Sequence, residues 1–196
     1  MHPHQAWDLA ALNRYIGTTE TLTVEFKRCD ALRPAPKKSI TDRILEAARD
    51  VAGMANEQGG ILIYGIQESS GIGFRSATAI DAGFEPADGV NREWFIQVMR
   101  DHISPPLTDL DVAHVEVSPG RIALAVLVPQ ARGVARQTTD RWFPRRDAQG
   151  LRNMTVQEIE DVRGRTERPV LSLHLAQAQT QLTDNQRELT ANLWFR

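Results

Sequence analysis

Hydrophobic and polar positions along this chain change period several times, and each change marks an element. Between residues 6 and 16, Trp7, Leu9, Ala10, Leu12 and Ile16 recur at helical spacing, and Gly17 with Thr18 ends the run. From Leu22 the period falls to two. Leu22, Val24 and Phe26 alternate with Thr23, Glu25 and Lys27, which predicts a strand with one buried face and with Glu25 and Lys27 together on the other. Pro34 and Pro36 make residues 33 to 38 a loop, after which Ser39 or Thr41 can cap a helix. Its apolar stripe is Ile40, Ile44, Ala47, Ala48, Val51 and Ala55, and Gly59-Gly60 stops it. Ile61 to Ile66 follows as a nearly continuous apolar strand.

The pieces form a strand, helix, strand unit. If its strands are parallel neighbours, their C-terminal ends lie side by side, the usual place for a site in such a unit. Farther on, Gly71-Ile-Gly73 reads as a turn, and residues 91 to 103 make an amphipathic helix with Trp94, Phe95, Val98 and Ile103, ended by Pro105-Pro106. Val112 to Val117 and Ile122 to Val128 flank Ser118-Pro119-Gly120-Arg121 and predict a hairpin. Arg141 to Pro144 reads as a short strand, and Thr155 with Glu158 as a capping box for a helix to about Arg163.

Residues 171 to 193 are rich in Leu, Ala and Gln, with Leu171, Leu175, Leu182, Leu189 and Leu193 at spacings near four and seven. That spacing predicts a helix that packs back on the domain or meets a partner helix, a route to a homodimer or a partner protein. The fold class is therefore α+β: a mixed sheet with a strand, helix, strand core and a later hairpin, helices packed on it, and a C-terminal helical extension. The domain covers residues 1–168 and the extension 169–196.

With 196 residues, 41% of them hydrophobic, the chain can build one sizeable core. The lone Cys29 cannot form an intramolecular disulfide, and no secretory signal or membrane-length apolar run appears, so a cytoplasmic location is expected, with no membrane partner. A formal charge of −2 argues against a uniformly basic DNA coater. Basic residues nonetheless cluster between Lys27 and Arg43 and again between Arg132 and Arg152. A fold that joined the clusters on one face would make a groove for a phosphate backbone, with Lys37, Lys38, Arg141, Arg145 and Arg146 as its contacts. Two solvated loops fit the same charges equally well.

Candidate chemistry sits in one stretch. Glu25, Lys27 and Glu68 can meet if the two core strands pair, whereas Glu20 precedes the first strand and periodicity leaves open whether it folds back toward them. On an arbitrary strand Glu25 and Lys27 would be only a weak surface ion pair. Asn56, Gly59 and Gly60 read as the helix end and tight turn that the connection needs, with Asn56 placed to brace the site. No Gly-x-x-x-x-Gly-Lys-Ser/Thr loop or other nucleotide motif is present.

Glu20-x-x-x-x-Glu25-Phe-Lys27, Gly53-Met-Ala-Asn56-Glu-Gln-Gly59-Gly60 and Gly65-Ile-Gln-Glu68 occur in the order that marks the Schlafen AlbA_2 domain family, which this chain resembles. A weaker later element runs from Trp142-Phe-Pro-Arg145-Arg146 to Thr155-Val-Gln-Glu158-Ile159. The resemblance implies a nucleic-acid-binding α+β domain and, in the Schlafen branch, an endoribonuclease acting on structured RNA such as tRNA, with RNA favoured over DNA. It implies that Glu20, Glu25 and Glu68 hold Mg²⁺ or Mn²⁺, hard cations suited to carboxylates, with Lys27 offsetting charge on the phosphorane. Gln67-Glu68 stands where the family has an Asp-Asp pair. Two alternatives remain: a non-catalytic DNA- or RNA-binding regulatory module, and a subunit that recruits a partner through its last helix.

Overall fold

In the computed structural model, the described residues are 7–70, 74–166, 173–183 and 186–195. In chain order the elements are α1 (Leu9–Asn13), β1 (Val24–Lys27), α2 (Ile40–Glu57), β2 (Gly60–Tyr64), β3 (Ile66–Glu68), β4 (Ala77–Ile80), α3 (Arg92–His102) and β5 (Ile103–Ser104). Then come β6 (Asp111–Ser118), β7 (Arg121–Val128), β8 (Gln137–Thr138), β9 (Pro144–Asp147), β10 (Gly150–Asn153), α4 (Val156–Arg163), β11 (Leu173–Thr183) and β12 (Gln186–Phe195). The chain divides into two compact units, Met1–Thr166 and Glu167–Arg196.

The first unit is built on a mixed sheet ordered β1-β2-β7-β6. β1 and β2 are parallel neighbours, from Val24 beside Ile61 to Lys27 beside Tyr64, while β2 with β7 and β7 with β6 are antiparallel. This is the α+β architecture that the alternation predicts, and the β6–β7 hairpin turns at the Pro119-Gly120 pair. One face of the sheet packs under α2 and α3, where Leu62, Tyr64 and Leu124 meet Val51, Met54 and Phe95. The other face buries Phe26, Ile63 and Val115 against Leu12 of α1.

α2 starts at a reciprocal cap, with Ser39 accepting from the Asp42 N–H and the Asp42 carboxylate accepting from the Ser39 N–H. It ends at Gln58, and Gly59 follows with φ +72°. At Gly60 (φ +147°) an added Cβ would lie 2.2 Å from the Thr23 carbonyl oxygen, so only glycine lets β2 come this close to the chain leading into β1. That approach sets the register of the parallel pair, and with it the alignment of Glu25 and Lys27 beside Leu62 and Tyr64.

The second unit corrects the expected helical extension. β11 and β12 form an antiparallel pair from Leu173 opposite Phe195 to Thr183 opposite Gln186, with an irregularity between Leu175 and Gln177. Physically, Ala176-Gln-Ala178-Gln-Thr180-Gln-Leu182 alternates with a period of two, and that alternation outweighs leucine spacings that suit either geometry. Among the described residues of 171–193 no helix forms, so a homodimer or partner contact through such a helix loses its basis. The short strand read at Arg141–Pro144 begins instead at Pro144, and the turn read at Gly71–Gly73 lies outside the described residues. Among the described residues no helix is long and apolar enough to cross a membrane.

Candidate functional site

Glu25 and Lys27 share the face of β1 that turns toward α2, so they sit in a partly buried slot rather than in solvent. Glu25 is 4% exposed. Its Oε1 lies 2.8 Å from Lys27 Nζ, and its Oε2 is in close ion contact with Arg146 Nη1 from β9. Lys27 Nζ is also 3.6 Å from Asp50 Oδ2 on α2.

Glu20 precedes the strand and folds back onto it. Its Oε1 accepts from the Phe26 N–H at 2.9 Å and its Oε2 from the Arg75 N–H at 3.0 Å, and Arg146 Nη2 stands 4.0 Å from that second oxygen. Glu68 leaves β3 and pairs with Arg75 Nη1 at 2.6 Å. Arg146 is 5% exposed, donates through Nε to the Thr21 carbonyl at 3.3 Å and lies over the Phe74 ring. Glu20, Glu25, Lys27, Glu68 and Arg146, five residues singled out in the sequence, thus line one cavity of about 330 Å³.

The other basic candidates scatter. Lys38 lines an adjoining cavity of about 280 Å³ and pairs with Glu46. Arg145 is tied to Glu57 and Glu158 on the far side of β9. Lys37 and Arg141 are exposed and line neither cavity. Asn56 braces the site from beneath. Fully buried at the end of α2, it donates to the carbonyls of Arg136 (2.9 Å) and Pro144 (2.7 Å) and accepts from the Arg136 N–H (2.7 Å), which fixes the strand carrying Arg146.

Asp50, Tyr64 and Arg75 join the site without having been foreseen. Asp50 carried a usable signal: it is an acid between Ala47 and Met54 at helical spacing on a buried stripe. Arg75 carried none, because its place depends on the pairing of β3 with β4.

The electrostatics are those of a crowded ion cluster. Burial pushes the Glu25 carboxyl up, but Lys27 and Arg146 outweigh burial and hold it below its ordinary value. Burial likewise opposes the Lys27 charge, yet Asp50 and Glu25 keep the ammonium above its usual value. Burial raises Glu68, and Lys27 and Arg75 do not cancel the effect. Asp50 is pushed up to about 7, first by burial and then by Glu25.

Because this folded-state value lies above the ordinary 3.8, Asp50's contribution to stability is complete below pH 3.8 and is lost as pH rises through about 7. Asp50→Asn should therefore raise the thermal midpoint at pH 8 and leave it unchanged near pH 4. Thermal unfolding from pH 4 to 8 checks this, and parallel profiles for the two proteins would refute it.

The resemblance raises the question of a divalent ion. Among the described residues no group of three or more His, Cys, Asp or Glu is arranged to hold one. The reason is visible in the partners: Glu20 gives both oxygens to backbone N–H groups, Glu25 faces two cations and Glu68 faces Arg75. In this arrangement the carboxylates do not fit a hard cation, which needs several free oxygens around one point.

The family model described as Schlafen, AlbA_2 matches residues 20–155, from the first site acid to the cap of α4. The chain belongs to the Schlafen AlbA_2 family. No curated protein matches it. Among solved structures, the DIP2311 protein from Corynebacterium diphtheriae is similar at 23% identity, over 83% of this chain and 30% of that one, with a TM-score of 0.49. This AlbA_2 chain thus spans under a third of that protein's length, and membership of the family points to nucleic-acid binding.

Proposed function

We propose that this domain is a nucleic-acid-binding module which seats RNA against the two adjoining cavities and, in the arrangement seen, holds rather than cuts it. The supporting observation is their shared wall. Lys27, Asp50, Glu68 and Arg75 line both cavities, so cations from β1, the β3–β4 region, α2 and β9 border one continuous depression. Cations spaced along a depression engage successive phosphates, while Arg146 and Lys27 neutralise the acids behind them.

Cleavage is the second reading, favoured by the convergence of Glu20, Glu25, Lys27 and Glu68 in one cavity. It requires Arg146 to leave Glu25. Fluorescence anisotropy and gel analysis with a tRNA pool, single-stranded RNA and single- and double-stranded DNA, in Mg²⁺, Mn²⁺ or EDTA, separate the two. The module predicts RNA binding that persists in EDTA and weakens with salt, and Lys38→Ala should lower the salt slope by about one. Metal-dependent products that vanish in Glu68→Gln would replace the module with the nuclease, and absence of binding to every probe would refute both.

A further inference from the structure

The second cavity, of about 280 Å³, contains a feature that the ion cluster does not explain. Tyr64 closes β2, is 1% exposed and packs its ring on Phe95 with centroids 5.6 Å apart, yet its hydroxyl has no hydrogen-bond partner among the described residues. Arg43 on α2 lines the same cavity. Its Nη1 reaches to 3.6 Å from Glu46 Oε2, whereas its Nε is buried without a partner among the described residues. Buried polar groups are nearly always paired, with protein, water or ligand, so two orphans on one cavity mark a place where a polar occupant would be held.

Both orphans can donate, and Arg43 Nε can do nothing else. An arginine Nε–H cannot accept, and burial followed by the charges of Asp50, Glu25 and Glu46 holds the Tyr64 phenol well above its ordinary pKa, so it keeps its proton. An occupant that satisfies Arg43 Nε supplies an acceptor, and one with a second acceptor atom takes the Tyr64 proton as well. Charge narrows the choice further. Among the residues lining this cavity, Arg28, Lys38, Arg43 and the shared Lys27 and Arg75 outnumber the acids, whereas acids outnumber cations around the first cavity. The volume lies at the small end for ligand pockets and suits a compact anion.

We propose that the second cavity is a phosphate subsite, in which the Tyr64 hydroxyl and Arg43 Nε donate to the oxygens of a single phosphate group. The assignment deepens the nucleic-acid reading, on which it rests for a strand as the phosphate's source. The phosphate chemistry itself stands on the two orphaned donors. A free phosphate or mononucleotide carries the same group, and the choice of probes distinguishes these sources.

The test is calorimetric titration and thermal shift of the intact chain with inorganic phosphate, adenosine 5′-monophosphate and a single-stranded RNA oligonucleotide, using wild type, Tyr64→Phe and Arg43→Gln. Chloride at matched ionic strength is the control. Phosphate should bind the wild type and raise its midpoint, with affinity at least about fivefold weaker in either variant, the loss of one hydrogen bond to a charged group. Without ligand, Tyr64→Phe should melt at the same temperature or about 2–4 °C higher, since it removes a buried hydroxyl with no partner, so loss of folding cannot mimic the result.

Equal phosphate binding by all three proteins overturns the subsite, as does a chloride effect of the same size. RNA binding that persists with no phosphate binding overturns the subsite and leaves the module standing. Phosphate binding that is lost in the variants, with no RNA binding, supports the subsite for a free anion and overturns the module.

Discussion

Glu25→Gln is expected to cost the domain about 3 kcal/mol, a fall in thermal midpoint on the order of 6–12 °C. The mechanism is the burial of what remains. Arg146, 5% exposed, would keep as its carboxylate only Glu20 at 4.0 Å, beside the Thr21 carbonyl, and Lys27 only Asp50 at 3.6 Å. An uncompensated buried cation is far costlier than an absent ion pair. Pairing the change with Arg146→Met should therefore recover a good part of the loss, a coupling that separate unfolding curves for single and double variants measure directly.

The deficit should also depend on pH. Glu25 has a depressed folded-state value, so its contribution is present above the ordinary 4.5 and is lost as pH falls through the lower folded value, where wild type and Glu25→Gln converge. A Glu25→Gln protein within about 1 kcal/mol of wild type at pH 7, measured by urea unfolding, would show that the cluster does not hold the domain together.

Asn56→Ala is the second large effect, again about 3 kcal/mol. It takes from the Arg136 and Pro144 carbonyls and the Arg136 N–H the partner that Asn56 supplies, and each orphaned group costs roughly 1–3 kcal/mol, in part relieved by relaxation and by water at the part-buried Arg136. Asn56→Asp should do no better, because a carboxylate offers no donor to two carbonyls. Since Pro144 begins the strand that carries Arg146, amide hydrogen exchange in β9 should speed up along with the loss in urea stability. Unchanged exchange there would mean that Asn56 supports α2 alone.

Much of the site could be read from residues 20 to 68, because its logic there is local. Alternation put Phe26 on one face and Glu25 with Lys27 on the other, and the Gly59-Gly60 turn returned the chain as a parallel neighbour, which brought Glu68 to the same end. Glu20 was ambiguous because its position follows from hydrogen bonds to Phe26 and Arg75, which no periodicity encodes. Arg146 appeared in a basic cluster as a phosphate contact, but its partner lies more than a hundred residues away in sequence. Only docking of β9 on α2 shows that it faces carboxylates. Lys37, Lys38, Arg141, Arg145 and Arg146 looked alike as charges, yet their surroundings separate them into exposed, cavity-lining and internally paired. At the C-terminus two periods competed over the same leucines, and the period of two prevailed.

The closed ion cluster also changes what binding means for this domain. Under the proposed function, an arriving phosphate meets in the first cavity, among the described residues, only cations that already have a carboxylate beside them. To take Lys27, Arg75 or Arg146 it must release a carboxylate, so entry is an exchange of partners and its net gain is the difference between two similar attractions. In the proposed binding the cost therefore lies in how the displaced acid is accommodated, and the acid beside Lys27 at the wall between the cavities is Asp50, whose carboxyl is pushed up by burial and by Glu25.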